Sequence, residues 1–300
     1  MDLNRFYRQS QLATDRMTAQ TMRRIQREYR DSLKVIDSQL AAIHRKYAVG
    51  GELSMSEMTK YNRLANLEKG INKELGRLGG TNTRSVKRLA GDIYHESFYR
   101  TAFAIERGTQ LNLAFGQLSP NQVLAAIENP LMDIALVRNQ QLAREGIKRE
   151  ITQGIIQGLS YPDMAKNLQR RMEGNLNNVD RIARTEAHRA REMGDLRALQ
   201  HAESKGVIMQ KMWVSALDEH TRDTHQELDG QTVGVDEYFV SPEGHEALAP
   251  GLFGVAEEDI NCRCSKIGVI EGYGPTVRRA EEGLMPYQTY REWKEAKHNN

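Results

Sequence analysis

The sequence predicts an α+β protein, with a mostly helical, elongated N-terminal region of long amphipathic helices and a small C-terminal α+β domain. Three observations predict this. Apolar residues recur at steps of three and four over most of the first 205 residues, which is the period of an α-helix. After Gly206 the pattern changes to short strand-like runs separated by turns. The two cysteines of the 300-residue chain stand in one tripeptide, Cys262-Arg263-Cys264.

Residues 1–110 are predicted to form a basic hairpin or bundle of long helices. Apolar stripes run along residues 16–47, 58–78 and 86–105. The glycine-containing stretches "VGGEL" and "GGTNT" stand between these segments and are expected to end the first and second helices. Short joints of this kind favour antiparallel neighbours.

Residues 111–206 are predicted to form a second helical domain. Ser119, followed by a proline, is expected to cap a short helix. Ser160 begins an S-x-x-D capping sequence that predicts another helix start. We expect a further helix from about Val179, with Gly206 as its C-terminal stop.

Residues 207–272 are predicted to form the small α+β domain. The stretch "VIMQKMWVS" is typical of a strand, the Asp229-Gly230 pair predicts a turn before a second short strand, and "SKIGVI" predicts a closing strand. Residues 273–300 are expected to form a C-terminal helix with a frayed end.

The charge of the chain is unevenly distributed. Residues 1–100 hold 19 Lys and Arg against 11 Asp and Glu, a net charge of +8, whereas residues 201–250 hold 3 against 10, a net charge of −7. A basic surface attracts nucleic acid or an acidic protein, and an acidic one repels phosphate. On the first long helix, four arginines lie opposite the apolar stripe and are candidates for contact with DNA or a partner; the alternative is that they are ordinary solvated charges. They are Arg23, Arg24, Arg27 and Arg30.

The composition also limits the partners and the place of synthesis. No run of eighteen apolar residues occurs, so no membrane span is expected. Two cysteines do not make a disulfide framework, which favours synthesis in a reducing cytoplasm.

A cluster of polar residues in the small domain suggests two kinds of site. His225, Cys262 and Cys264 could supply three ligands of a structural zinc ion, with Asp218 or His220 as the fourth. The single residue between the cysteines departs from the usual zinc spacing, and we expect chelation to need a turn at this residue. The alternative is a structural knot of buried cysteines and hydrogen bonds, which the spacing favours.

A catalytic interpretation uses the same residues. His225 with the Cys262/Cys264 pair could serve a metal-dependent hydrolase or nuclease. The net charge of −7 around them repels a nucleic-acid substrate, and the sequence shows no activated thiol. We therefore expect a protein that is not an enzyme.

The segments "RIARTEAHRA", "KMWVSALDEHTRDTHQELDGQTVGVDEYF" and "PGLFGVAEEDINCRC" resemble the minor head proteins of tailed bacteriophages, the Mu F-like head-morphogenesis family. The resemblance covers roughly residues 150–270 and follows the family's ordered motifs. The motif residues that this chain keeps include Trp213, Asp218, Arg222, His225, Asp229, Gly230, Phe239, Asn261, Cys262, Arg263 and Cys264.

The resemblance implies a structural protein of the virion, located inside the head near the portal vertex and acting in head morphogenesis. The partners it implies are the phage portal protein and phage DNA, bound without sequence specificity so as to affect packaging or ejection; the major capsid and scaffold proteins are further candidates. Any DNA contact is expected to be with phosphate and to depend on salt. A free DNA-binding protein acting away from the virion is a third hypothesis.

Overall fold

The computed structural model of the protein describes residues 3–270, 277–280 and 283–298, and it confirms the α+β class. The helices are α1 Leu3–Tyr47, α2 Met55–Thr59, α3 Arg63–Thr109, α4 Pro120–Ile127, α5 Pro130–Ile156, α6 Tyr161–Ser204, α7 Asp223–Leu228, α8 Ala256–Asp259 and α9 Tyr290–His298. The strands are β1 Met209–Val214, β2 Thr232–Gly234, β3 Phe239–Val240, β4 Glu246–Ala247, β5 Ser265–Ile270, β6 Val277–Ala280 and β7 Gly283–Pro286. Over this described part of the chain, the helices lack an apolar stretch of the length that crosses a bilayer.

The chain divides into two units that do not follow the predicted boundaries at residues 110, 206 and 272. One unit comprises residues up to Thr18, Arg88–Glu128 and residues from Arg184 onward, and the other comprises Ala19–Lys87 and Asn129–Ala183. The reason is the length of α1, α3 and α6, which have 45, 47 and 44 residues. Each of these helices contributes one part of its length to each unit.

The predicted helix end at "GGTNT" was wrong, since α3 continues through it. A Cβ atom at Gly79 would lie 2.4 Å from Cδ of Gln140 on α5. Glycine at position 79 therefore leaves room for the side chain of Gln140. This packing outweighs the poor helix propensity of Gly79 and Gly80. The predicted start near Val179 was also wrong: Val179 is buried in the middle of α6.

Other helix ends are confirmed. Helix α1 ends before "VGGEL", where Gly50 and Gly51 adopt φ of 62° and 88°. Ser119 caps α4 through a reciprocal capping box, and Ser160 accepts a hydrogen bond from the backbone nitrogen three residues on. Gly206, with φ of 90°, follows the end of α6.

The unit that contains residues 19–87 has a polar group inside its apolar core. The hydroxyl of Tyr29 donates to Oδ1 of Asn175 at 2.5 Å, and the Asn175 amide donates to the side chain of Asn139 at 2.7 Å. Burial raises the pKa of Tyr29, which keeps this hydroxyl a hydrogen-bond donor. These bonds satisfy polar atoms between α1, α5 and α6.

The other unit contains a three-stranded antiparallel sheet of order β2-β1-β5, with β1 in the centre. The predicted strands β1 and β5 are confirmed, and their register places Trp213 opposite Lys266. On the helical side, α6 approaches α3 closely, since a Cβ atom at Gly194 would lie 2.4 Å from the carbonyl oxygen of Tyr94.

The prediction for residues 273–300 was incomplete. The helix exists as α9, but β6 and β7 form an antiparallel hairpin before it, with Arg278 opposite Met285. The frayed end was predicted for the last residues, of which 299–300 lie outside the described part of the chain.

Candidate functional site

The site is a buried cluster of one histidine and two cysteines. Nδ1 of His225 lies 3.7 Å from Sγ of Cys262 and 3.4 Å from Sγ of Cys264. The three ligand atoms lie within 4.8 Å of one another, and all three residues are buried. Both cysteines are free thiols. The geometry therefore brings together the nitrogen and the two sulfurs that the sequence suggested.

The local chain path explains why both sulfurs face the histidine. The chain turns after α8, where Asn261 adopts φ of 57° and the backbone nitrogen of Cys262 donates to the carbonyl of Asp259 at 3.2 Å. Cys262 and Cys264 are then buried, while Arg263 between them is exposed. Residues two apart on an extended segment point to the same face. The expected turn at Arg263 was therefore wrong; the turn comes before the pair.

Aromatic rings surround the cluster. Trp213 from β1 is fully buried and makes edge-on contacts with His225 and Phe239, each with ring centroids 5.3 Å apart. Phe253 stacks on His225 at 5.9 Å. Trp213 donates from its ring nitrogen to Oγ of Ser215 at 3.1 Å, so its one polar atom is satisfied. The rings exclude solvent from the sulfurs.

Glu258 faces the other nitrogen of the His225 ring. Its Oε2 lies 3.0 Å from Nε2, within ion-pair distance although without hydrogen-bond alignment. Thr224 donates to the same carboxylate at 3.0 Å, and Nδ1 of His245 lies 3.3 Å from it. Burial opposes ionisation, but the His245 and Thr224 contacts outweigh it and lower the pKa of Glu258. The carboxylate on the Nε2 side of the ring fixes the orientation in which Nδ1 of His225 faces the two sulfurs.

The two thiols are not equivalent. The contact with Cys264, followed by burial, raises the pKa of Cys262. Burial also opposes ionisation of Cys264, but the contacts with Cys262 and His225 outweigh burial and lower its pKa. The cluster therefore favours a thiolate at Cys264, which is the form that binds metals.

Asp218 and Arg263 lie together beside this cluster. The Asp218 carboxylate accepts from Arg263 at 2.7 Å and from the backbone nitrogen of His220 at 2.9 Å. Arg222 donates to the carbonyl of Ile260. The structure thus gives Asp218 a role in holding the loop of Arg263, and the three-residue cluster does not include it.

Asp229 and Gly230 form the turn that joins α7 to the sheet. Gly230 adopts φ of 81°, and its nitrogen donates to the carbonyl of Trp213 at 2.9 Å. The Asp229 carboxylate accepts from the backbone nitrogen of Ser215 at 2.7 Å and binds Arg278 through two nitrogens. Sequence reasoning missed Arg278, because its partner is 49 residues away.

A second set of buried charged residues, which sequence reasoning also missed, comes from α6. Lys266 on β5 is fully buried and donates from Nζ to the carbonyl oxygen of Glu192 at 2.7 Å, with Oε2 of the same residue at 3.4 Å. Burial opposes ionisation of Glu192, but Lys266 and Arg191 outweigh it and lower its pKa. Burial raises the pKa of the nearby Asp195 to about 7. The signal was present in "RIARTEAHRA" and the residues after it, which carry acids and bases on one helix.

The four predicted arginines of α1 lie in the other unit and are all exposed. The two acidic residues next to these arginines form ion pairs with other residues. Glu28 pairs with Arg77 at 3.0 Å, and Asp31 pairs with Lys34 at 3.4 Å. The set comprises Arg23, Arg24, Arg27 and Arg30.

Comparisons with known proteins give the class. A family model described as Phage Mu protein F like protein matches residues 145–267, which include the buried cluster. Minor head protein GP7 of Bacillus phage SPP1 is 34% identical over 292 residues, which cover 94% of each chain. The chain therefore belongs to the Mu F-like minor head proteins of tailed bacteriophages.

Two further relatives are more distant or are matched over part of their length. The NAD(+)–arginine ADP-ribosyltransferase EFV of Enterococcus faecalis is 29% identical over 97% of this chain, which spans 60% of that protein. An uncharacterized protein of Haemophilus influenzae is 26% identical over 63% of this chain and 39% of its own length. No solved structure matches the chain. The similarity to the SPP1 minor head protein spans both chains nearly end to end.

Proposed function

We propose that this protein is a non-enzymatic component of the phage head that acts at the portal vertex during head morphogenesis. The observation that carries the proposal is the similarity to a minor head protein over 94% of both chains. The buried site supports a structural role, because aromatic rings pack around His225 and both cysteine side chains are buried. The hydrolase alternative draws no support from the whole-length similarity.

An exposed apolar surface on α5 is a candidate for contact with the portal protein. Leu131, Ile134 and Val137 are 54%, 62% and 64% exposed, at steps of three along one helix. Exposed apolar groups of this kind are typical of surfaces that bind another protein. We propose that this surface binds the portal protein rather than the major capsid or scaffold protein.

The test uses purified portal protein and intact particles. We expect the wild-type protein to bind portal oligomers and to be present in purified heads. The double substitution Ile134→Glu with Val137→Glu is expected to weaken portal binding at least tenfold, because it places charges in an apolar interface. Leu124→Glu, at a residue 62% exposed on α4, is the matched control and should bind normally. Absence of the protein from purified heads would contradict the proposed function. Unchanged portal binding by the double variant would contradict the assignment of the α5 surface.

A secondary role is nonspecific contact with phage DNA through Arg23, Arg24, Arg27 and Arg30. These side chains are exposed within about two turns of α1, and guanidinium groups bind phosphate oxygens. The contact fits packaging or ejection of the genome from the head. Reversal of the four charges tests it, with the expected result given in the Discussion.

A further inference from the structure

We propose that His225, Cys262 and Cys264 bind a zinc ion, with Nδ1 and the two Sγ atoms as ligands. The sequence favoured a hydrogen-bonded knot, because one residue between the cysteines is fewer than zinc sites usually have. The observed geometry removes that objection, since both sulfurs point to the same side. The ligand types are those that zinc prefers.

The distances agree with tetrahedral coordination. With the usual zinc–sulfur and zinc–nitrogen bond lengths, a tetrahedral angle places the nitrogen about 3.6 Å from each sulfur. The observed separations are 3.7 Å to Cys262 and 3.4 Å to Cys264. Both nitrogen–sulfur separations therefore fit a single ion, and all three ligand atoms lie within 4.8 Å of one another. The described residues supply three ligand atoms to this position.

Glu258 gives the site the outer contact that metal-binding histidines generally have. Its carboxylate lies 3.0 Å from Nε2 of His225, the nitrogen that does not face the sulfurs. A carboxylate there fixes the ring orientation and makes Nδ1 a better ligand. Thr224 and His245 in turn hold the carboxylate. Glu258 is thus a positioning residue for the proposed ligand His225.

The position of the cluster explains what the ion would do. The three ligands come from α7 and from the segment before β5, which are separated by more than 30 residues in the chain. The sheet beside them has three short strands, and a metal that joins distant segments of a chain stabilises the folded state. Zinc would join α7 to the sheet beneath the buried Trp213. Its role is mechanical, and it requires no catalysis.

The experiment uses the full chain, purified and then freed of metal with a chelator. We expect one equivalent of zinc per chain as purified. The metal-free protein should bind one equivalent of Co²⁺ with the absorption of cobalt–thiolate bonds, and Zn²⁺ should displace it. Cys262→Ser, Cys264→Ser and His225→Gln should each lose stoichiometric binding. Glu258→Gln should retain the site with about 10- to 100-fold weaker affinity.

Asp236→Asn is the matched control, because it removes one carboxylate charge from the same unit at an exposed residue that accepts from Gln200 and contributes no ligand to the cluster. It should keep one zinc at wild-type affinity. The proposal is overturned if the wild-type protein shows no cobalt–thiolate absorption, if either cysteine variant keeps full affinity, or if Asp236→Asn loses the metal as the cysteine variants do. Should the cysteine variants fail to fold, the cobalt spectrum of the wild-type protein still decides. Portal binding is measured separately, so failure of one proposal leaves the other testable.

Discussion

The guanidinium group of Arg278 binds the carboxylate of Asp229 through two nitrogen–oxygen contacts of 2.7 Å, and each side chain is 2% exposed. Arg278 also donates to the backbone carbonyls of Ser215 and Gln288. One buried ion pair therefore joins the β6–β7 hairpin and the segment before α9 to the turn that follows α7.

The first prediction concerns this pair. Asp229→Ala leaves a buried arginine without its counter-charge, and we expect a loss of about 3–5 kcal/mol in the free energy of unfolding. Glu295→Ala removes an exposed ion pair with Arg291 and should cause no measurable change. Denaturant unfolding of the two variants measures the difference. Equal stability of both would show that Arg278 is solvated.

The second prediction compares two glycines of α6. A Cβ atom at Gly194 would lie 2.4 Å from the carbonyl oxygen of Tyr94, so Gly194→Ala should destabilise the protein by about 1–3 kcal/mol or more. Gly174 has no atom within 4 Å of the same position, and Gly174→Ala should stabilise it by up to about 1 kcal/mol. Thermal unfolding of the two variants measures the sign of each change in stability. A neutral Gly194→Ala would mean that α3 and α6 move apart readily.

The third prediction concerns pH and Asp195. Burial, with a smaller contribution from Glu192, raises the pKa of Asp195 to about 7 against the opposing effect of Lys266. Between about pH 4 and pH 7 the folded state therefore holds a proton that the unfolded state has lost. The contribution of this proton to stability falls as pH rises through that window, by about 1.4 kcal/mol per pH unit at most.

Asp195→Asn removes this dependence while preserving an acceptor for Thr101, which donates to Asp195 at 2.6 Å. The unfolding free energy of the variant relative to wild type should rise by about 2 kcal/mol from pH 5 to pH 7 and then level off. His188, whose pKa burial lowers to about 3, gives an opposite slope at acidic pH, but it is present in both proteins and cancels in the difference. A pH-independent difference would place the Asp195 pKa near its ordinary value.

The fourth prediction concerns DNA. Changing Arg23, Arg24, Arg27 and Arg30 together to Glu should weaken binding to duplex DNA and reduce its salt dependence, by up to about four in the slope of log K against log salt. The control variant reverses four other exposed basic residues of the same unit, and it should bind more nearly like wild type. Those residues are Arg138, Arg149, Lys166 and Arg170. Equal losses in both variants would indicate a nonspecific effect of net charge.

Several features were predictable because their signals are local. The apolar period of α1, the caps at Ser119 and Ser160, the stop at Gly206 and the strands β1 and β5 each depend on residues within a few positions of one another. The family motifs also identified His225 and the two cysteines as candidate site residues. The order of these motifs along the chain indicated the family.

The sequence by itself determined the α+β class, the helical periods and the identity of the three clustered residues, because side-chain chemistry and short-range spacing decide them. Only the tertiary structure decided that α3 runs through Gly79, because the room needed by Gln140 comes from another helix. It also decided which groups pair at long range, as with Arg278 and Asp229 or Lys266 and Glu192. Such pairs lie 49 and 74 residues apart, and no local pattern encodes a contact over that separation.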